Sequence, residues 1–197
     1  MTSTVDRRVC FVGDSFMAGV GDPEHRGWVG RIAARSHRDG RPVTAYNLGV
    51  RRDTSEDVRR RLPAETVARW VAGCDNRLVV SFGVNDTTEA DGSVRVPPER
   101  SLANLLGVAE HAAAQDVALL VVGPPPVADP AQNDRIAALD LRFAAAGLPY
   151  VSVVDDLLAE PMWMREVRTG DGAHPGAPGY DLLAALVLPA WRAWLRA

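Results

Sequence analysis

Lysine is missing from this sequence, and all 22 basic residues are arginine. No side-chain amine is therefore available for a Schiff base, for a serine–lysine nucleophile pair or for the lysine of a phosphate-binding P-loop. Cysteine is nearly absent too. Cys10 and Cys74 are the only two, their spacing is neither a metal-ligand set nor a disulfide framework, and they read as buried or idle thiols. No apolar run approaches the ~18 residues of a membrane span. The polar start MTSTVDRR lacks the apolar core of a secretion signal, so the expectation is a cytoplasmic protein with no membrane span. Excess positive charge is lacking as well. At a net charge of −3 the chain has no electrostatic grip on a phosphate backbone, and no nucleic-acid partner is expected.

What is present is the composition of an ordinary globular protein, 47% apolar and 24% charged over 197 residues. That length suits one domain, 1–197, with a full core and is short for two. Short apolar runs alternate with helical patterns throughout. The runs Val9–Val12, Thr44–Leu48, Leu78–Phe82, Ala118–Val122 and Tyr150–Val154 predict five strands. Between and after them, Trp28–Arg38, Ser55–Ala72, Glu99–Gln115, Gln132–Ala146 and Pro178–Ala197 have helical length and spacing. Thr54-Ser55-Glu56-Asp57 supplies an N-cap followed by acids in the first helical turn. Strict alternation of this kind predicts an α/β fold, a three-layer α/β/α sandwich around a five-stranded parallel sheet. With right-handed crossovers, the flavodoxin-like strand order 2-1-3-4-5 is the expected topology.

In such sheets ligands bind beyond the carboxyl ends of the strands, beside strand 1. Strand 1 delivers Gly13-Asp14-Ser15, strand 2 delivers Asn47-Leu48-Gly49 and strand 3 delivers Gly83-Val84-Asn85-Asp86. With neighbouring strands roughly 5 Å apart, the three ends fall side by side. The last loop, Thr169-Gly170-Asp171-Gly172-Ala173-His174-Pro175, follows strand 5 and can fold back over the same edge.

GDS near the start, a glycine after strand 2, GxND after strand 3 and DxxHP near the end are four blocks in order, and with them the chain resembles the SGNH, or GDSL-type, serine esterases and lipases. One departure is Phe16, which stands where the GDSL motif has leucine. The resemblance implies Ser15 as nucleophile, His174 as its general base and Asp171 as the carboxylate that orients the imidazole. It implies further an oxyanion hole of the Ser15 N–H, the Gly49 N–H and the Asn85 side-chain amide, with no metal and no organic cofactor. A small-molecule ester is the substrate it implies, and hydrolysis through an acyl-enzyme the reaction.

Each residue also has a plainer reading. Alone, Ser15 is an N-cap, His174 a surface histidine, Asp171 a turn residue and Asn85 a turn stabiliser. Asp14 and Asp86 read as braces for the loops. Met162, Trp163 and Met164, together with Trp28, could line an acyl pocket, although such residues more often fill cores. Thr87–Arg100 is long for a strand-to-helix connection and is a candidate lid or specificity loop. Arg51-Arg52, just after Gly49, reads as a solvated pair or as a contact for an anionic substrate group. Two other functional classes compete: a metal-dependent phosphoesterase using Asp14, Asn85, Asp86 and His174 as ligands, and a binding module that holds a sugar or acyl group without turnover.

Overall fold

The computed structural model describes residues 5–197, so the first four residues of the N-terminal reading lie outside the described residues. In chain order the elements are β1 (Arg7–Gly13), α1 (Ser15–Ala18), α2 (Gly27–Arg38), β2 (Thr44–Gly49), α3 (Ser55–Val67), β3 (Asp75–Ser81), β4 (Glu89–Ala90), β5 (Ser93–Val94), α4 (Pro98–Ala114), β6 (Ala118–Val122), α5 (Pro130–Ala144), β7 (Tyr150–Val151), α6 (Val154–Ala159), α7 (Pro161–Thr169) and α8 (Ala177–Trp194). Five of the strands form one parallel sheet in the order β2-β1-β3-β6-β7, which is the expected 2-1-3-4-5 once the small β4–β5 hairpin is set aside.

Successive side chains of a strand point to opposite faces, and the two cores follow that rule. Val9 and Phe11 of β1 pack into one cluster with Trp28 and Ile32 of α2, Trp163 of α7 and Trp191 of α8. Cys10 and Val12 pack into the other, with Val58 and Leu62 of α3 and Leu105 and Val108 of α4. Phe11 sits edge-on to Trp28 and stacked on Trp191, with centroids 5.9 and 5.6 Å away. Both sheet faces are therefore covered, which is why the central strands are apolar runs rather than alternations.

Helices α6 and α7 are not among the expected elements and several boundaries shift by a few residues; three differences have a clear local cause. The last strand pairs only over Tyr150–Val151, because Val154 already begins α6 with Asp155 and Asp156 in its first, dipole-compatible turn. Helix α3 ends at Val67, where Arg69 N and Trp70 N both donate to Thr66 O. Thr87–Arg100 folds back on itself as β4 and β5 around Asp91 and Gly92, both at positive φ (53° and 79°), the conformation that Asp-Gly hairpin turns require.

The register positions the site. Gly13 at the end of β1 lies opposite Gly49 of β2 and Ser81 of β3, so the three chains leave the sheet at one level. Gly49 is needed there for closeness, not for φ: a Cβ would lie 2.2 Å from Ala18 N. Any side chain would push α1, and Ser15 with it, off the sheet edge.

Candidate active site

Ser15 is the first residue of α1, whose N-cap Asp14 accepts a hydrogen bond from Phe16 N at 2.9 Å. At that position the serine N–H has no intrahelical partner and points out of the helix start. His174 reaches it from the loop before α8. Nε2 of His174 lies 2.7 Å from Ser15 Oγ, and Nδ1 lies 2.7 Å from Asp171 Oδ2. Asp171 Oδ1 accepts from the backbone of Ala173 (3.0 Å) and His174 (2.9 Å), so a single tight turn builds both the carboxylate and the ring it orients. Burial alone would raise the Asp171 pKa, but the bonds from the His174 backbone and ring and from Ala173 N outweigh it and bring it to about 2. The carboxylate stays ionised at neutral pH beside the imidazole.

Several residues hold this arrangement, and most of them carry no signal in the sequence. Glu166 of α7 accepts from Gly176 N (3.0 Å) and Gly179 N (2.9 Å), capping α8 directly behind His174-Pro175. Tyr180 donates to Val20 O at 2.7 Å, which draws the segment after α1 against the histidine loop. Gly21, at φ 88°, passes so near that a Cβ would meet Pro175 O at 2.7 Å and His174 Cβ at 3.0 Å. Arg61 donates to Gly13 O (2.8 Å) and to Asp53 (2.6 Å), tying β1 to the turn after β2. Phe16 lies against the imidazole, centroids 4.9 Å apart, and is also stacked with Trp163 at 6.4 Å. Its departure from leucine was legible in the sequence; that it would back the histidine was not.

Asp14 and Asp86 are both buried and spend their oxygens on bracing bonds. Asp86 accepts from Ser55 N (2.8 Å) and Ser101 Oγ (2.6 Å), joining the starts of α3 and α4. Asp14 accepts the cap bond from Phe16 N and a longer bond from Asn85 Nδ2 at 3.4 Å. Burial, with Asp86 and Asp53 nearby, raises its pKa to about 7, against the cap bond that lowers it. Burial raises Asp86 in the same direction.

The cleft over Ser15 measures about 490 Å³ and is lined by the apolar Phe16, Val84 and Val127 and by the polar Arg51, Arg52, Asn85, Thr88, Asp129 and Gln132. Four expected residues, Ser15, Asn85, Asp171 and His174, meet there. Gly49 stands apart: its N–H donates to Asn47 Oδ1 at 3.0 Å, and Asn47 in turn donates to Met17 O at 2.8 Å. Asn85 also donates to Asp53 O at 3.0 Å. The pocket reading of Met162, Trp163 and Met164 does not match their placement. Trp163 and Met164 are buried core residues, the indole N–H of Trp163 bonding Pro126 O, while Met162 faces a different hollow with Leu182 and Pro178. Trp28 is likewise core. Helical spacing placed one face of α7 inward, and the apolar core competed successfully for it.

No group of three or more His, Cys, Asp or Glu residues is positioned to hold a metal ion among the described residues. No helix among them is long and apolar enough to cross a membrane.

Known proteins share this architecture. The lipase/acylhydrolase from Enterococcus faecalis superposes with a TM-score of 0.74 at 24% identity, covering 95% of this chain and 96% of that one. The psychrotrophic esterase EstA from Pseudoalteromonas sp. superposes at 0.73 and 16% identity, covering 98% of this chain and 100% of that one. These likenesses speak to the fold. In sequence, the protein called "Uncharacterized protein YpmR" of Bacillus subtilis (strain 168) is 32% identical over 80 residues, 40% of this chain. The match spans 31% of that relative's length. The model of one family, described as the GDSL-like lipase/acylhydrolase family, matches residues 11–182. With a match from the first strand into the last helix, the chain belongs to the GDSL-like lipase/acylhydrolase family.

Proposed function

We propose that the protein hydrolyses a small or short-acyl carboxylic ester, thioester or O-acetyl group through an acyl-enzyme on Ser15. The observation that carries this reading is the unbroken chain Ser15 Oγ, His174, Asp171, with 2.7 Å at each junction. A serine hydroxyl is inert at neutral pH until a base takes its proton during attack, and the imidazole lies within that reach. The ionised Asp171 holds the ring in the tautomer with its free lone pair on Nε2 and balances the imidazolium as it forms. His174 then returns the proton to the leaving group, and in the second half activates water against the acyl-enzyme.

Negative charge grows on the carbonyl oxygen during both halves. Ser15 and Asn85 both line the cleft, and we assign that charge to the Ser15 N–H at the start of α1 and to the Asn85 amide. Asn85 frees a hydrogen for the oxyanion by releasing the longer of its two bonds, the one to Asp14. The Gly49 N–H, which donates to the Asn47 side-chain oxygen, is available as a third donor only once that bond is released. A cleft of about 490 Å³ lies near the lower end of ordinary ligand pockets and favours small substrates.

The metal-phosphoesterase alternative needs ligands that are free to coordinate. Asp86 has both oxygens in hydrogen bonds, and His174 is already shared between Ser15 and Asp171. Steady-state hydrolysis of p-nitrophenyl acetate tests the proposal. The wild type turns it over, and Ser15→Ala and His174→Ala each lower kcat by roughly 10³-fold or more while melting within a few degrees of wild type. Full turnover surviving in Ser15→Ala would end the reading.

A further inference from the structure

The turn between β2 and α3 carries two arginines onto the wall of the Ser15 cleft. Asp53 N donates to Val50 O at 3.3 Å, closing a four-residue turn with Arg51 and Arg52 at its tip. Both ends of the turn are fixed. Val50 N donates to Gly13 O at 2.9 Å, the Asp53 carboxylate takes Arg61, and Asp53 O takes the Asn85 amide. Arg52 is held at φ 69°, in the left-handed region that disfavours any residue with a Cβ, and its carbonyl accepts from Arg95 Nη2 at 3.0 Å. Glycine would suit this place better for folding. Local strain held in place by its surroundings points toward function.

The charges around the turn sharpen the point. Arg60 pairs with Asp57, Arg61 with Asp53 and Arg100 with Glu56, yet neither Arg51 nor Arg52 has a carboxylate within 4.0 Å among the described residues. The two carboxylates of the cleft are engaged elsewhere: Asp171 with His174, and Asp129 as the N-cap of α5, accepting from Ala131 N at 3.0 Å. Arg51 also lines a second hollow of about 430 Å³, formed with Ala18–Pro23 and His25, so it stands between two recesses next to the serine. A guanidinium presents a planar fork of donors that fits a carboxylate or phosphate with two parallel bonds.

We propose that Arg51 and Arg52 form an anion subsite, and that the protein selects esters bearing a carboxylate or phosphate close to the scissile carbonyl. The proposal rests on the reading of this cleft as an ester-hydrolysing site. Because Asp53 O and Asn85 are bonded, an anion settling on the turn also acts on the position of the amide that faces the developing oxyanion.

Three esters separate the possibilities: neutral p-nitrophenyl acetate, p-nitrophenyl hemisuccinate with a carboxylate on the acyl side, and 4-acetoxyphenyl phosphate with a phosphate on the leaving group. The wild type is expected to show higher kcat/KM for at least one anionic ester than for the acetate, and the double variant Arg51→Gln/Arg52→Gln to lower that ratio roughly 10- to 100-fold. Whichever anionic ester carries the preference identifies the anion together with the side, acyl or leaving group, on which it is recognised. Raising salt should erode the preference of the wild type and leave the double variant flat. Arg52→Gly keeps the backbone conformation while removing the charge; it is expected to raise Tm and still lose selectivity, a combination that a merely structural arginine would not give. Calorimetric titration of Ser15→Ala with the three intact esters reads binding without turnover. If turnover depends on Ser15 but the ratio is the same in wild type and double variant, the subsite is wrong and the hydrolase stands. If nothing is turned over yet the anionic esters bind Ser15→Ala at least ten-fold more tightly than the Ser15→Ala/Arg51→Gln/Arg52→Gln variant, the hydrolase is wrong and the subsite stands.

Discussion

At the scale of single residues, burial and hydrogen bonding pull the two carboxylates of the site in opposite directions. Asp14, beneath the serine, has its pKa raised to about 7, whereas an unfolded aspartate titrates near 3.8. Between those values the folded chain holds one proton more than the unfolded chain, so this group makes stability fall as pH rises from about 4 to about 7. Asp14→Asn should remove that slope: its Tm relative to wild type is expected to climb between pH 4.5 and pH 8, read by circular dichroism melts across the series. A constant difference would place the Asp14 titration outside this window. Asp171 has the opposite sign. Its lowered pKa contributes stability that is present above the unfolded value and is lost as pH falls toward about 2. Phe16 is 2% exposed and packs against both Trp163 and the catalytic candidate His174. Phe16→Ala is expected to cost about 3–5 kcal/mol and Phe16→Leu under about 1.5 kcal/mol in urea denaturation. The leucine variant should keep turnover within an order of magnitude.

At the scale of elements, what was legible followed from local chemistry. The N-cap expected at Thr54 is formed, and Asp57, expected only as a first-turn acid, also completes a reciprocal capping box by accepting from Thr54 N at 3.0 Å. Thr54→Ala should destabilise by about 1 kcal/mol. The strands β1, β3 and β6 were readable because buried parallel strands are apolar runs, and the helices because one face must match them. Features fixed by distant partners were not readable. Glu166 looks like any polar residue of α7 until α8 folds over it, and Asp91-Gly92 carried a hairpin signal that the polar length of its segment concealed. The Met162-Trp163-Met164 reading failed for the same reason, since periodicity says which face is apolar and not which cavity it fills. Glu166→Ala should unpin the start of α8, lowering kcat for p-nitrophenyl acetate more than Ser15-remote surface changes do, with Glu166→Gln intermediate because an amide oxygen still accepts from Gly176 and Gly179.

At the scale of the whole molecule, chemistry collects where the strand order reverses. β1 lies between β2 and β3, and the chains leaving these three strands bring Ser15, the arginine turn and Asn85 to one edge. Helices on both faces leave that edge as the open end of the sandwich. The pattern of alternating strands and helices made the sheet order and the converging blocks legible; the donor arrangement around the oxyanion was not, because Asn47 and Asp53 reach Gly49 and Asn85 only in three dimensions. A single domain is expected to unfold in one cooperative transition, with fluorescence of the five tryptophans and far-ultraviolet circular dichroism changing together. The most direct test of the account is to treat the protein with a fluorophosphonate and map the adduct by peptide mass spectrometry. The account requires one adduct per chain, on the peptide containing Ser15, absent from Ser15→Ala and strongly slowed in His174→Ala. An unmodified Ser15 in protein that still turns over p-nitrophenyl acetate would contradict it.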